Sequence, residues 1–101
     1  MTTLEIHPPQ RKTDLLSATG ETLRAIRTES GLTLRQVAEG AHVSVSYLAE
    51  IERGEKDPSS RVLESIAAGL GIEVKVLLLR IADALEPETP AAAPVAGVLA
   101  A

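Results

Sequence analysis

Between Thr33 and Gly54 the chain reads TLRQVAEGAHVSVSYLAEIERG, and the side chains there that can do chemistry are small hydroxyls, a valine, a carboxylate and a few cations. Ser44 and Ser46 each donate or accept a hydrogen bond. Val45 offers methyl groups, Glu50 accepts from an amino group, and Arg35, Arg53 and, just downstream, Lys56 suit phosphate. None of this is bond-breaking chemistry. No nucleophile stands beside a base, no paired carboxylates share a pocket, and no glycine-rich loop is placed to cradle a phosphate. The residue types suit recognition instead, and an enzyme is not expected.

The local sequence supplies the elements that would position these groups. Thr33 with Gln36 fits a capping box, in which each side chain satisfies a backbone N–H that the first turn leaves open. A helix therefore starts at Leu34 and runs to Gly40 or Ala41, with Leu34, Val37, Ala38 and Ala41 inward; the small Ala38 allows a second helix to come close. His42-Val43-Ser44 is too short for anything but a tight turn. Ser44 caps a further segment, Val45 to Arg53, whose Leu48 and Ile51 fall three apart, and Gly54 ends it. Two short helices joined by a three-residue turn form a helix-turn-helix. With Leu48 and Ile51 held inside, helical geometry puts Ser44, Val45, Ser46, Ala49, Glu50 and Arg53 on the open side. The first turn of such a helix enters the DNA major groove. There the serines meet base edges or phosphate, Val45 a thymine methyl and Glu50 a cytosine amino group. The first turn holds no Arg, Asn or Gln for a bidentate base contact, so specificity per half-site is modest. Tyr47 is expected to wedge its ring between helices and turn its hydroxyl to a phosphate, rather than to stack on a base.

The flanks read as support. A first helix, capped by Thr13 or Asp14, runs to Ser30 with Leu16, Leu23, Ile26 and Arg27 near one face; Gly20 inside it requires either close packing or a kink. Gly31 stops it. A fourth helix, about Ser60 to Leu70, is capped by Ser59 or Asp57 and ended by Gly71, with Val62, Leu63, Ile66, Ala67 and Leu70 closing the core. The fifth, Glu73 to Leu85, reads EVKVLLLRIADAL. Val74, Leu77, Leu78, Ile81, Ala82 and Leu85 form a stripe at three-and-four spacing, and Val76 and Leu79 lie off it. A helix apolar on more than one face needs cover on more than one face, which predicts a homodimer through Val74, Leu77, Leu78, Ile81 and Leu85. The alternatives are a broad face on a single core, or a protein-interaction module of antitoxin or coactivator kind whose partner covers helix five.

Composition bounds the rest. At 101 residues and 45% apolar content the chain makes one modest domain, and Tyr47 is its single aromatic residue. No cysteine and only two histidines exclude a disulfide framework and make a metal site or cofactor unexpected. The sequence carries no stretch of membrane-spanning character and no signal-peptide core, which predicts a cytoplasmic protein. A net charge of −4 weighs against non-specific coating of nucleic acid but does not exclude a local reader. It predicts a segregated surface, with Arg35, Arg53 and Lys56 on one side and Glu73, Asp83, Glu86 and Glu88 far from it. Residues 1–12, with Pro8-Pro9, form an irregular arm in which Arg11 and Lys12 either touch DNA or are simply solvated. Residues 13–85 form the domain, and residues 86–101, EPETPAAAPVAGVLAA, a disordered Pro/Ala tail.

From LRAIRTESGLTL through the helix-turn-helix to PSSRVLESIAAGLGI, roughly residues 15 to 79, the chain resembles the large family of bacterial regulators similar to the Cro and lambda repressors, the Xre family. Within it, the chain is especially similar to the actinobacterial regulators of Clp protease genes. The resemblance implies an all-α, five-helix lambda-repressor-like domain that binds a palindromic double-stranded DNA operator as a dimer. It implies an activator of Clp protease and proteostasis genes, for which Glu39 on helix two is the candidate contact with RNA polymerase. It places Arg35 and Gln36 where helix two crosses the DNA backbone, Ser44, Val45, Ser46, Tyr47, Glu50 and Arg53 on the recognition helix, and Lys56 in a loop near phosphate. It also implies an internal ion pair between Arg27 and Glu52. Most members carry glycine in the turn where this chain has His42; histidine tolerates the left-handed backbone, though a phosphate contact or pH sensor is also open to it. The ending Leu99-Ala100-Ala101 resembles that of tags that deliver proteins to Clp proteases, which makes the tail a candidate degradation signal; a frayed Ala-rich end looks much the same.

Overall fold

A computed structural model describes residues 14–85. The arm at 1–12, the cap at Thr13, the acidic Glu86 and Glu88, and the tail with Leu99, Ala100 and Ala101 lie outside the described residues. Five helices follow in order: α1 (Leu15–Glu29), α2 (Leu34–Ala41), α3 (Val45–Glu52), α4 (Ser60–Leu70) and α5 (Val74–Ala84). The fold is all-α.

Each of the first four helices starts where a side chain can take an orphan N–H. The Asp14 carboxylate accepts from the Ser17 N–H, and the Thr33 hydroxyl accepts from the Gln36 N–H at 3.0 Å while the Gln36 side chain accepts from Thr33 at 2.9 Å. Ser44 caps α3 and Ser59 caps α4 in the same manner. Such caps contribute about 1 kcal/mol each. α5 starts at Glu73 without a side-chain cap, so its position rests on packing. The connection from α2 to α3 turns through His42, the single non-glycine residue with positive φ among those described, at φ 60° and ψ 41°. A left-handed residue there reverses the chain quickly enough for α3 to cross α2.

Leu23, Val37, Leu48, Ile51, Ile66 and Leu77 are the largest fully buried side chains, one or more from every helix. Truncating any of them to alanine costs about 2–5 kcal/mol, since a core without Phe or Trp has no bulky neighbour to collapse into the space. α2 packs chiefly on α4, while α1 packs on both α3 and α5. Two glycines set how close the helices come. A Cβ on Gly20 would strike the Ile51 and Glu52 carbonyls, so Gly20 marks close packing of α1 on α3. A Cβ on Gly69 would stand 2.8 Å from the Val37 carbonyl oxygen, beside Gly40, so the closest approach of α2 and α4 falls at a glycine pair. Ala38, the residue expected to let a second helix come close, is buried two residues before Gly40.

The fifth helix corrects one expectation. Leu77 and Ile81, assigned above to a dimer surface, are 0% and 4% exposed and belong to the protomer's own core. The physical reason is register: these two residues, four apart, are the ones that meet the rest of the core. Val74 and Leu85 are half-buried against it. The outward apolar residues are Val76, Leu78 and Leu79, at 43%, 50% and 57% exposure, so only Leu78 of the expected set faces solvent.

Candidate nucleic-acid interface

α3 presents its first turn outward. Ser44, Val45 and Ser46 are all exposed, Val45 to 38%. Leu48 and Ile51, at 1% each, anchor the opposite face. The Ser44 hydroxyl oxygen already accepts from the Tyr47 N–H at 3.0 Å, which leaves its proton free to be donated. Likewise the Gln36 carbonyl oxygen is taken by Thr33, and its amino group remains available to an acceptor such as phosphate. Ser46 keeps both functions. Glu50 is half-buried on the same helix, and Tyr47 is half-buried with its ring against the core. Arg35 in the first turn of α2 and Lys56 in the loop after α3 are exposed. The N-termini of α2 and α3 add backbone donors and the positive end of a helix dipole.

Behind this surface lies an ion pair that fixes α3 on α1. The Arg27 guanidinium donates from Nε to Glu52 Oε2 at 2.8 Å and from NH2 to Glu52 Oε1 at 3.0 Å, and from NH1 to the Leu32 carbonyl at 3.1 Å. The two side chains are 13% and 7% exposed. Its hydrogen bond to Glu52 raises the Arg27 pKa above its ordinary value, against the opposing effect of burial. One planar guanidinium thus ties together α1, the α1–α2 loop and the last turn of α3. A fork-to-fork geometry of this kind fixes angle as well as distance.

Two further pairs gave no sign in the sequence. Arg53 donates from Nε and NH2 to both Glu55 oxygens at 3.0 Å, so the arginine expected at phosphate is held by a carboxylate two residues on. That contact spans the turn at Gly54, φ 77°, the glycine expected to end the helix, and no helical or strand spacing pairs residues 53 and 55. Arg80 on α5 grips Glu29 at the end of α1 with two bonds of 3.0 Å across fifty-one positions of sequence. Glu73 and Asp83 are exposed on α5 and its cap. Among the described residues no group of three or more His, Cys, Asp or Glu side chains is placed to hold a metal ion, and no helix is long and apolar enough to cross a membrane.

A helix capped by serine, crossed by a short preceding helix and exposed along its first turn defines a helix-turn-helix protein. Residues 18–80 match the family model described as a helix-turn-helix domain. The transcriptional regulator ClgR of Mycobacterium tuberculosis is 47% identical over 60 residues, which are 59% of this chain and 54% of that protein. The immunity repressor of Bacillus phage phi105 is 48% identical over 59 residues, 58% of this chain and 41% of the repressor. The chain thus spans about half the length of the M. tuberculosis regulator. Among solved structures, the clp gene regulator ClgR from C. glutamicum superposes with a TM-score of 0.69 at 40% identity, covering 74% of this chain and 97% of that one. The restriction-modification controller protein C.Esp1396I superposes with a TM-score of 0.66 at 26% identity, covering 71% and 95%. This chain belongs to the Xre-type helix-turn-helix regulators, a family of regulators and not of enzymes, and is similar to ClgR.

Proposed function

We propose that the chain is a sequence-specific DNA-binding transcriptional regulator of the cytoplasm that works as a homodimer on a palindromic operator. The observation that carries this reading is the exposed first turn of α3, Ser44 to Ser46, on a helix tied to α1 by the Arg27–Glu52 pair, with Arg35 and Lys56 exposed as well. Ser44 and Ser46 donate to base edges, Val45 packs on a thymine methyl, and Glu50 accepts from a cytosine amino group. Arg35, the Gln36 amino group, the Tyr47 hydroxyl, Arg53 and Lys56 contact phosphate and set the register. Two protomers joined through the outward Val76, Leu78 and Leu79 of α5 place two recognition helices on half-sites about one helical turn, ~34 Å, apart.

Similarity to the clp gene regulator ClgR supports control of clp genes as the outcome. We propose further that this control is activation of Clp protease and proteostasis genes, with Glu39, exposed on α2, as the contact for RNA polymerase and the Leu99-Ala100-Ala101 ending as a route to Clp protease. Selection of bound duplexes from a random pool tests the central reading. Enrichment of a palindrome with two short half-sites is expected, and no enrichment refutes it. The exposed apolar residues of α5 also favour a second reading, an interaction module whose partner covers that helix. A chain that sediments as a monomer at micromolar concentration and enriches no duplex establishes that reading instead.

A further inference from the structure

A second stretch of the surface, between α1 and α3, has the chemistry of a phosphate notch. It consists of two adjoining grooves of about 480 and 300 Å³ that share Arg24, Glu52 and Arg53, and the smaller has Ala49 in its wall. Val45, Ala49 and Arg53 fall four apart, so they form one row along α3. That row leads from Val45 to the grooves at Arg53, which Arg24 of α1 also lines. Three carboxylates lie near. Glu52 is consumed by Arg27, Glu55 is clasped to Arg53, and Glu21 lines the larger groove. Arg53 and Glu55 are both more than half exposed, and a pair this wet is weak enough for the singly charged phosphate of a DNA strand to compete with.

Resting on the DNA-binding reading above, we propose that this notch holds a backbone phosphate of the bound duplex between Arg24 and Arg53, and that Glu55 occupies Arg53 until the strand displaces it. Arg24 is then a phosphate ligand outside the helix-turn-helix itself, and Glu55 a built-in competitor that weakens binding to any sequence equally.

The test is a salt titration of the full chain on its selected duplex and on a random one, for wild type, Arg24→Gln, Arg24→Lys and Glu55→Gln. Loss of one phosphate contact lowers the slope of log K against log salt by about 0.9 per protomer and affinity roughly fivefold per protomer near 0.15 M salt. Arg24→Gln is expected to show this loss on both duplexes alike, because phosphate carries no sequence information. Arg24→Lys keeps most of the slope, since a point charge still serves a phosphate but would not rescue a role that needs the guanidinium plane. Glu55→Gln binds tighter with a steeper slope. Arg24→Gln indistinguishable from wild type overturns the notch, as does a change in preferred sequence. Glu55→Gln no tighter than wild type overturns the competitor. Inorganic phosphate that shifts the Arg24 side-chain resonances and saturates at millimolar concentration, while Arg24→Gln binds DNA as wild type does, would make the notch a small-anion site and likewise overturn it. A wild-type chain that binds neither duplex refutes the proposed function itself, a result distinct from all of these.

Discussion

Removing one half of the Arg27–Glu52 pair is predicted to cost at least as much as removing both. Arg27→Met keeps the aliphatic stem but leaves the Glu52 carboxylate, 7% exposed, without its guanidinium. Stranding one member of a buried pair costs about 3–5 kcal/mol, and the low end, about 3, applies because the arginine keeps 13% exposure and water has some access. Glu52→Leu strands a longer and more adaptable cation and is expected to cost about 2 kcal/mol. The double variant strands no charge. It forfeits the bond from NH1 to the Leu32 carbonyl and the tie between α1 and α3, about 2 kcal/mol together. The coupling is then 2 − (3 + 2), or about −3 kcal/mol, and the double variant is more stable than Arg27→Met alone. For a domain of this size each kcal/mol moves Tm by roughly 4–8 °C, so Arg27→Met melts about 12–24 °C lower. Urea and thermal melts of the four proteins, followed by circular dichroism at pH 7, supply the cycle. If the four free energies add within about 0.5 kcal/mol, the pair behaves as a surface pair and the reasoning from its burial is wrong.

Four other outcomes follow from single features. Gly20→Ala should destabilise by more than about 2 kcal/mol in a urea melt, because its methyl group meets backbone carbonyls of α3 that cannot move without displacing the recognition helix. His42→Val should cost about 1–2 kcal/mol although the position is exposed, since a β-branched residue resists the left-handed backbone that histidine tolerates; no loss would remove backbone geometry as the reason for histidine here. Leu79→Glu, at a residue 57% exposed, should abolish self-association in sedimentation velocity while leaving the melt of the protomer within a few degrees, whereas Leu77→Glu should unfold it. The hydrogen bonds from Arg80 hold the Glu29 carboxyl below its ordinary value of 4.5. A carboxyl depressed on folding stabilises above its unfolded pKa, and that contribution disappears as pH falls through the lowered value. Glu29→Gln should therefore flatten the acid limb of a stability profile below pH 4.5, and more so at low salt; an unchanged limb removes the pair from the account.

Much of the domain was legible in the residues because its signals are local. Thr33 with Gln36, and Ser44 and Ser59 ahead of apolar runs, act within one turn, so the start of α2, α3 and α4 follows from hydrogen bonds three residues apart. The outward face of α3 follows too, once Leu48 and Ile51 are held inside, because a helix has only one opposite side. What the tertiary structure alone decided depends on where helices meet. α5 carries more apolar residues than one face can use, and only its docking on α1 and α4 chose Leu77 and Ile81 for the core and left Val76, Leu78 and Leu79 to solvent. The pairing of Arg80 with Glu29, and the seat of Gly20 against the α3 backbone, join positions far apart in the chain, and no spacing rule reaches that far. The capture of Arg53 by Glu55 is closer in sequence but hangs on a turn outside any repeating geometry. Periodicity and capping act between neighbours and are written in the sequence; the partner of a long, flexible charge is set by the surface that folding brings to it.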